Sequence, residues 1–223
     1  MKHTRDVLEK VNPVSIRSQV ASQLRDAILA GRLKPGDRLT ERDLADAMGV
    51  SQAAVREGLV ALEYEGLISR TANTSTHVTE FTPEKSKEIV QIRLHLEPYA
   101  MVEASRRLTP QSIAELEGIL SEIRRWVGAG DRHQALQGDF AFHRKIWELS
   151  GNVSLARTLN QLCTPLFAFF EILEHVNQIG MDDGYVRIHQ VLVDVLKEGD
   201  PVKIQQATRE HILNAWFPPP YAP

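Results

Sequence analysis

The sequence predicts a mainly α-helical protein in two parts: an N-terminal winged helix-turn-helix (three helices plus a β-hairpin) and a C-terminal all-α bundle of six or seven helices. Two observations predict this. The stretch 39–67 contains two amphipathic helical segments separated at Gly49. From Pro83 onward the pattern is helical throughout, interrupted only by glycine and proline turns. The predicted domains are 1–80 (winged helix-turn-helix), 84–216 (helical domain) and 217–223 (tail).

Composition places the protein among folded soluble chains, with 223 residues, 43% hydrophobic and 25% charged. The N-terminus carries charges where a signal peptide would be apolar, and no apolar run has the length of a membrane span, so we expect a cytoplasmic protein with no membrane partner. Cys163 is the only cysteine, which excludes an intramolecular disulfide and a thiolate zinc site within one chain. It is expected in the core.

The net charge of −3 argues against a basic coat protein that binds nucleic acid by bulk charge. Residues 1–80 carry 11 Lys and Arg against 11 Asp and Glu, so even this part is neutral. DNA affinity would therefore depend on where the arginines lie and on the pairing of two modules in a dimer, because phosphate neutralisation is local.

The first element is a helix that Ser15 can cap and that runs to about Ala30, where Gly31 is placed to end it. A Pro35-Gly36 turn follows. Residues at helical spacing form its predicted buried face: Ile16, Val20, Leu24, Ala27 and Ile28.

The next two helices form the helix-turn-helix pattern. The first has an apolar face of Leu44, Ala45 and Met48 and breaks at Gly49; Ser51 can then cap the second. The second begins near Gln52 and buries Val55, Leu59 and Leu62. Its outward residues are Gln52, Ala53, Arg56 and Glu57. Such a second helix can lie in the DNA major groove; an ordinary helical hairpin is the alternative.

A β-hairpin is predicted next, with strands at 67–70 and 77–81 and a tip at 73–76. The second part then contains six predicted helices, at about 84–108, 111–127, 132–149, 153–176, 182–198 and 201–215.

A candidate metal site emerges from spacing within these helices. Asp139 and His143 are four residues apart and share one helix face. His189 and His211 lie 11 residues before and after Asp200, so an antiparallel hairpin places them level. Three imidazoles and one carboxylate suit Zn²⁺, Ni²⁺ or Mn²⁺ and leave positions open for a ligand. Ordinary buried or surface histidines are the alternative.

The N-terminal residues resemble a known family. The run AILAGRLKPGDRLTERDLADAMGVSQAAVREGLVALEYEGLI resembles the DNA-binding domain of GntR-type bacterial transcription regulators, and the resemblance covers nearly all of 15–80. By position, Arg38 and Arg42 resemble the family's backbone and base contacts, and Arg56 its recognition-helix arginine. The DNA-binding set that we predict is Arg38, Arg42, Ser51, Gln52, Ala53 and Arg56.

The chain departs from that family at two places. Where the recognition helix usually begins Ser-Arg-Thr-Pro, this chain has Ser51-Gln52-Ala53-Ala54, which removes one cationic base reader and one hydroxyl. The Gln52 amide can still address adenine, whereas arginine would favour guanine. The wing has Thr71, Thr74 and Ser75 in place of basic residues and a glycine. Either the operator differs from the family's common one or DNA binding is weak.

The second half resembles the FCD effector domain of the FadR-like branch of this superfamily, over about 84–216. The residues that carry the resemblance are Arg93 and Glu97 in IRLHLEPYA, the run DFAFH, Gly151-Asn152, His189 and His211. It implies metal ligands at Asp139, His143, His189 and His211, and effector contacts at Arg93 and Asn152. Six helices suggest the VanR-like subgroup. For Arg93, a helix-surface ion pair with Glu97 is the alternative.

These resemblances imply a transcriptional regulator rather than an enzyme. We expect a homodimeric repressor that binds a pseudo-palindromic double-stranded DNA operator and responds to a small carboxylate at a divalent transition metal. A metal-dependent enzyme acting on a small organic acid is the alternative from another class, because such a site could activate water. A DNA-binding module with a vestigial metal site is the third.

Overall fold

The computed structural model describes residues 15–71, 75–80, 82–177 and 182–216. The chain forms two compact units that divide between Thr79 and Glu80. Three expectations fall outside the described residues: the start of the chain at 1–14, the hairpin tip around Thr74, and the tail at 217–223.

The first unit is a winged helix-turn-helix, as the sequence predicted. Its three strands form an antiparallel sheet in the order β1-β3-β2. The elements in chain order are α1 (Ile16–Leu29), β1 (Arg38–Leu39), α2 (Glu41–Met48), α3 (Gln52–Tyr64), β2 (Ile68–Thr71) and β3 (Ser75–Val78).

The sheet differs from the prediction in two respects. The second hairpin strand was placed at 77–81, but β3 begins at Ser75, because Thr71 pairs with Ser75 and only three residues connect the strands. β1 was not predicted, since two residues are too short to show an alternating pattern. It adds to the edge of the hairpin through the pairing of Arg38 with His77.

The turn between α2 and α3 follows from its residues. Gly49 adopts a left-handed conformation with φ of 65°, which ends α2 at little steric cost. The Ser51 hydroxyl accepts a hydrogen bond from the backbone N–H of Ala54 at 3.2 Å and thereby caps α3. The predicted helix-turn-helix geometry is present.

The core of this unit lies between α1 and α3. Val55, Leu59 and Leu62 are fully buried, as predicted. Ile16 was predicted to join this core, but it is 57% exposed, because it lies one turn before Val20, the first buried residue of α1.

The second unit contains six helices within its described residues. Helix α4 packs against α6, α7, α8 and α9, and α5 packs against α6 and α8. The bounds are α4 (Pro83–Ser105), α5 (Pro110–Gly128), α6 (Arg132–Leu149), α7 (Val153–Asn177), α8 (Asp183–Glu198) and α9 (Pro201–Trp216), close to those predicted. Cys163 is buried as expected, and burial raises the pKa of its thiol.

The interior of this bundle is mainly apolar but contains several charged or polar side chains. Buried polar groups are costly unless they are paired or bind a ligand, so their presence indicates a site. They include Arg93, Glu97, Asp139, His143, His189 and His211. Within the residues described, no helix has the length and apolarity needed to cross a bilayer.

The close approach of α1 and α3 depends on Gly58. A Cβ built there would lie 2.6 Å from Cγ1 of Val20, whereas a Cβ on Gly118 in α5 would meet nothing within 4 Å. We expect Gly58→Ala to lower the free energy of unfolding by about 1–3 kcal/mol through overpacking. Gly118→Ala should raise it by about 0.5–1 kcal/mol, because alanine favours the helix. Denaturant unfolding followed by circular dichroism measures both, and a Gly58→Ala variant as stable as Gly118→Ala would contradict this packing.

Candidate metal centre and nucleic-acid interface

Three histidines converge in the centre of the second unit. His143 on α6, His189 on α8 and His211 on α9 each offer a ring nitrogen, and these nitrogens all lie within 4.8 Å of one another. The Nε2 atoms of His143 and His211 are 3.2 Å apart. All three rings are buried. The antiparallel hairpin of α8 and α9 has therefore brought His189 and His211 level, as their spacing from Asp200 predicted.

Asp139 supplies a carboxylate to the same cluster. Its Oδ1 lies 2.8 Å from Nε2 of His189 and 3.3 Å from Nε2 of His143. One oxygen thus faces two imidazoles at once. The structure brings together all four residues predicted as metal ligands.

Two further residues, Tyr185 and Glu97, contact three of these four. The Tyr185 hydroxyl donates to Oδ2 of Asp139 at 2.5 Å, and the backbone carbonyl of Tyr185 lies 2.7 Å from Nδ1 of His189. With a proton on Nδ1, that contact fixes the tautomer of His189. Glu97 places Oε2 3.7 Å from Nδ1 of His143. Such outer contacts hold metal-binding histidines and carboxylates in position.

The protonation of the cluster follows from burial and mutual charge. Burial alone would raise the pKa of Asp139, but the charge of His189 and the hydrogen bonds from the two imidazoles hold it well below its usual range. Burial alone would lower the pKa of His189, but Asp139 outweighs it and the pKa is raised. Burial and the two neighbouring histidines lower the pKa of His211 well below its usual value, so its ring is neutral.

Arg93 lies beside the cluster and is 1% exposed. Its Nε donates to Oε1 of Glu97, the i,i+4 pair that the sequence suggested, but the pair is buried rather than on the surface. Its guanidinium lies 5.5 Å from the centre of the Phe167 ring. Its charge also lowers the pKa of His211, after burial and the other two histidines.

Asn152, the other predicted effector contact, is not buried with this group. It is exposed, and its Oδ1 accepts from the backbone N–H of Leu155 at 3.0 Å, at the start of α7. Its neighbours Gly151 and Val153 line a groove of about 420 Å³ between α6 and α7. The structure gives Asn152 a helix-capping position.

The residues present fit a transition-metal ion. Three imidazole nitrogens and one carboxylate oxygen are suitable donors, and His211 is neutral, as a metal ligand must be. The buried Nδ1 of His211 has no hydrogen-bond partner among the described residues, so the cluster is incompletely satisfied by protein groups alone.

The predicted DNA-binding residues share one property, exposure. The Ser51 hydroxyl is engaged as the cap of α3, and Arg56 forms an ion pair with Glu41 of α2, with Nη2 to Oε2 at 2.7 Å. The exposed residues are Arg38 on β1, Arg42 on α2, Ser51 before α3, and Gln52, Ala53 and Arg56 on α3.

Sequence reasoning missed two parts of these sites. Tyr185 lies four residues before His189 and so shares its helix face, a spacing that could have indicated it. The pairing of Glu41 with Arg56 joins two helices across a turn, and no periodicity of a single helix reveals it.

Each half of the chain matches a known protein family. Residues 16–78 match the family model described as bacterial regulatory proteins, gntR family, and residues 88–214 match the FCD domain. The HTH-type transcriptional regulator McbR of Escherichia coli is 33% identical over 192 residues, 86% of each chain. A probable D-xylose utilization operon transcriptional repressor of Paenarthrobacter nicotinovorans is 30% identical over 206 residues, 91% of this chain and 89% of the relative.

Solved structures show the same fold. The E. coli McbR/YncC structure superposes with a TM-score of 0.76 at 27% identity, covering 91% of this chain and 95% of that one. A GntR regulator from Rhodococcus sp. RHA1 gives 0.72 at 23% identity, covering 91% and 96%. The chain therefore belongs to the GntR family of bacterial DNA-binding transcriptional regulators, in the FadR-like branch that carries an FCD domain.

Proposed function

We propose that this regulator is a repressor whose FCD domain binds one divalent transition-metal ion and a small carboxylate, and that the carboxylate relieves repression. The observation that carries this proposal is the buried cluster of three imidazoles and Asp139, with Arg93 beside it. Zn²⁺, Ni²⁺ and Mn²⁺ all suit such nitrogen and oxygen donors. Four protein ligands leave coordination positions for an effector on an ion that takes five or six.

Charge balance favours an anionic effector. With neutral histidines, the positive charges of Arg93 and a divalent ion exceed the negative charges of Glu97 and Asp139 by one. A buried excess charge is costly unless it is paired. A carboxylate that enters beside Arg93 and the ion removes that excess, and arginine suits carboxylates geometrically.

The DNA-binding unit supports operator recognition by a homodimer. One chain presents one recognition helix, α3, and two-fold pairing presents two helices to half-sites one helical turn apart, which makes the operator pseudo-palindromic. Arg93 lies on α4, the helix that begins at Pro83, directly after the DNA-binding unit. An effector that changes packing around α4 shifts the spacing of the two recognition helices. The regulator acts in the cytoplasm. The relative from Paenarthrobacter nicotinovorans, which is named a probable repressor, supports repression as the direction of control.

The metal is tested by elemental analysis of protein purified without chelator. We expect about one ion per chain in the wild type and none in His211→Ala, which removes a neutral ligand and so leaves no unpaired charge. His95→Ala, on the exposed side of α4, is the matched control and should keep the ion. Equal metal content in His211→Ala and His95→Ala would show that the proposed site does not bind the ion.

The effector is tested by a thermal-shift screen of metal-loaded protein with small organic and sugar acids. A carboxylate at one hundred times its Kd should stabilise the fold by about 2.7 kcal/mol. Arg93→Lys keeps the charge beside Glu97 but loses the planar fork, so it should retain the metal and lose at least about tenfold in carboxylate affinity. A screen in which no acid shifts the wild type would count against the effector, and turnover of an acid would favour an enzyme instead.

Base recognition by Gln52 is tested by letting the protein select DNA duplexes from a pool of randomised sequences. The Gln52 amide pairs with adenine N6 and N7, whereas arginine pairs with guanine O6 and N7. Gln52→Arg should therefore change one position in each half-site from adenine to guanine, with a preference of about fivefold or more. Glu57→Gln, an exposed residue of the same helix outside the predicted DNA-binding set, changes the net charge by the same one unit and serves as the control. Identical selected sequences from wild type and Gln52→Arg would exclude Gln52 from base contact.

A further inference from the structure

The recognition helix presents its arginine already bound to an acid. Glu41, the first residue of α2, contacts Arg56 of α3 through two donors: Nε lies 3.0 Å from Oε1 and Nη2 lies 2.7 Å from Oε2. The Arg56 side chain is nonetheless 61% exposed. The ion pair therefore lies on the surface that the proposed function turns toward DNA.

This contact uses one edge of the Arg56 guanidinium and leaves the donors of the other edge available for a further partner. Arginine has five N–H donors in a rigid fork, and Glu41 occupies the Nε and Nη2 side. Nη1 makes no hydrogen bond within the described residues, so the end formed by Nη1 and the second Nη2 proton remains available. That end can form a two-pronged contact with a guanine edge or with a phosphate.

The charge of Glu41 affects those two partners differently. Its hydrogen bond from Arg56 lowers its pKa, so Glu41 is ionised at neutral pH. A phosphate that approaches Arg56 meets a pair with no net charge and an acid that repels it. A guanine edge carries no net charge and offers acceptors to the same donors, so Glu41 repels it much less.

The other arginines of the unit differ in whether they are paired. Arg25 pairs with Glu65, and Arg70 pairs with Glu63. Arg38 and Arg42 are exposed and make no ion pair within the described residues. The unit thus keeps unpaired arginines at the start of the helix-turn-helix and a neutralised one on the recognition helix.

We propose that Glu41 is a specificity-determining residue: it holds Arg56 for contact with a base edge and disfavours its use as a phosphate anchor. The inference rests on the proposed role of α3 in operator binding. Removing the charge of Glu41 should therefore strengthen binding to any DNA while weakening discrimination between sequences.

The test uses the full-length protein and two probes, a short random-sequence duplex and a duplex that the wild type selects from a randomised pool. Affinities are measured by fluorescence anisotropy over a range of salt concentrations. Glu41→Gln should bind the random duplex about three- to tenfold more tightly at low salt, and its log–log salt slope should steepen by about 0.9, the value for one added phosphate contact. The ratio of selected to random affinity should fall about tenfold.

The matched control is Glu57→Gln, which removes the same charge from an exposed neighbour of Arg56 and leaves the ion pair intact. It should change both affinities by the same factor and preserve their ratio. In an Arg56→Gln background, Glu41→Gln should have no more effect than Glu57→Gln, because the coupled partner is gone.

The outcomes separate this inference from the function on which it rests. If Glu41→Gln and Glu57→Gln have equal effects, the inference is wrong and operator binding stands. If Glu41→Gln weakens both duplexes equally and lowers the melting temperature, Glu41 is a structural support and the inference is again wrong. A wild type that selects no sequence from the pool and does not bind the random duplex overturns operator binding and this inference together.

Discussion

The organising constraint of the helical domain is its buried charge. Asp139, Glu97 and Arg93 lie in a core that is otherwise built from leucine, valine, isoleucine and aromatic side chains. An isolated charge in such a core would be costly, so each needs a partner. Arg93 and Glu97 pair within α4, whereas Asp139 on α6 pairs with His189 on α8. The arrangement of α4, α6, α8 and α9 is thus tied to the same groups that could bind an ion and an acid. Stability and ligand response share one set of contacts.

Pairing of charges also shapes the DNA-binding unit, with a different result. There the pairs are exposed or half-buried, and they decide which cations remain for DNA. This explains how a unit with nearly equal numbers of acidic and basic residues can still bind a polyanion. Its net charge says little, because the positions of the unpaired arginines set the local field.

The sequence predicted most of the fold because its signals are local. Ser51 and Gly49 mark a turn by their own chemistry, and the helical spacing of Val55, Leu59 and Leu62 identifies the buried face. The prediction that His189 and His211 lie side by side followed from counting 11 residues on either side of Asp200. Contacts that join different elements were harder: Glu41 with Arg56, Glu97 with His143, and the edge pairing of β1 all depend on tertiary packing. Asn152 was chosen by resemblance alone, and its place at the surface depends on how α6 meets α7.

The short turn between α8 and α9 fixes the register of two side chains that lie 22 residues apart in the sequence, and this constrains the length of the chain between them. Only Gly199 and Asp200 lie between α8 and α9, so the number of residues from His189 to His211 fixes how the two imidazoles face each other. Inserting or deleting one residue in either helix between these histidines would rotate an imidazole by about 100° and move it away from the histidine cluster. Natural length variation in this domain should therefore be excluded from the stretch between those histidines and collect in the loops outside it.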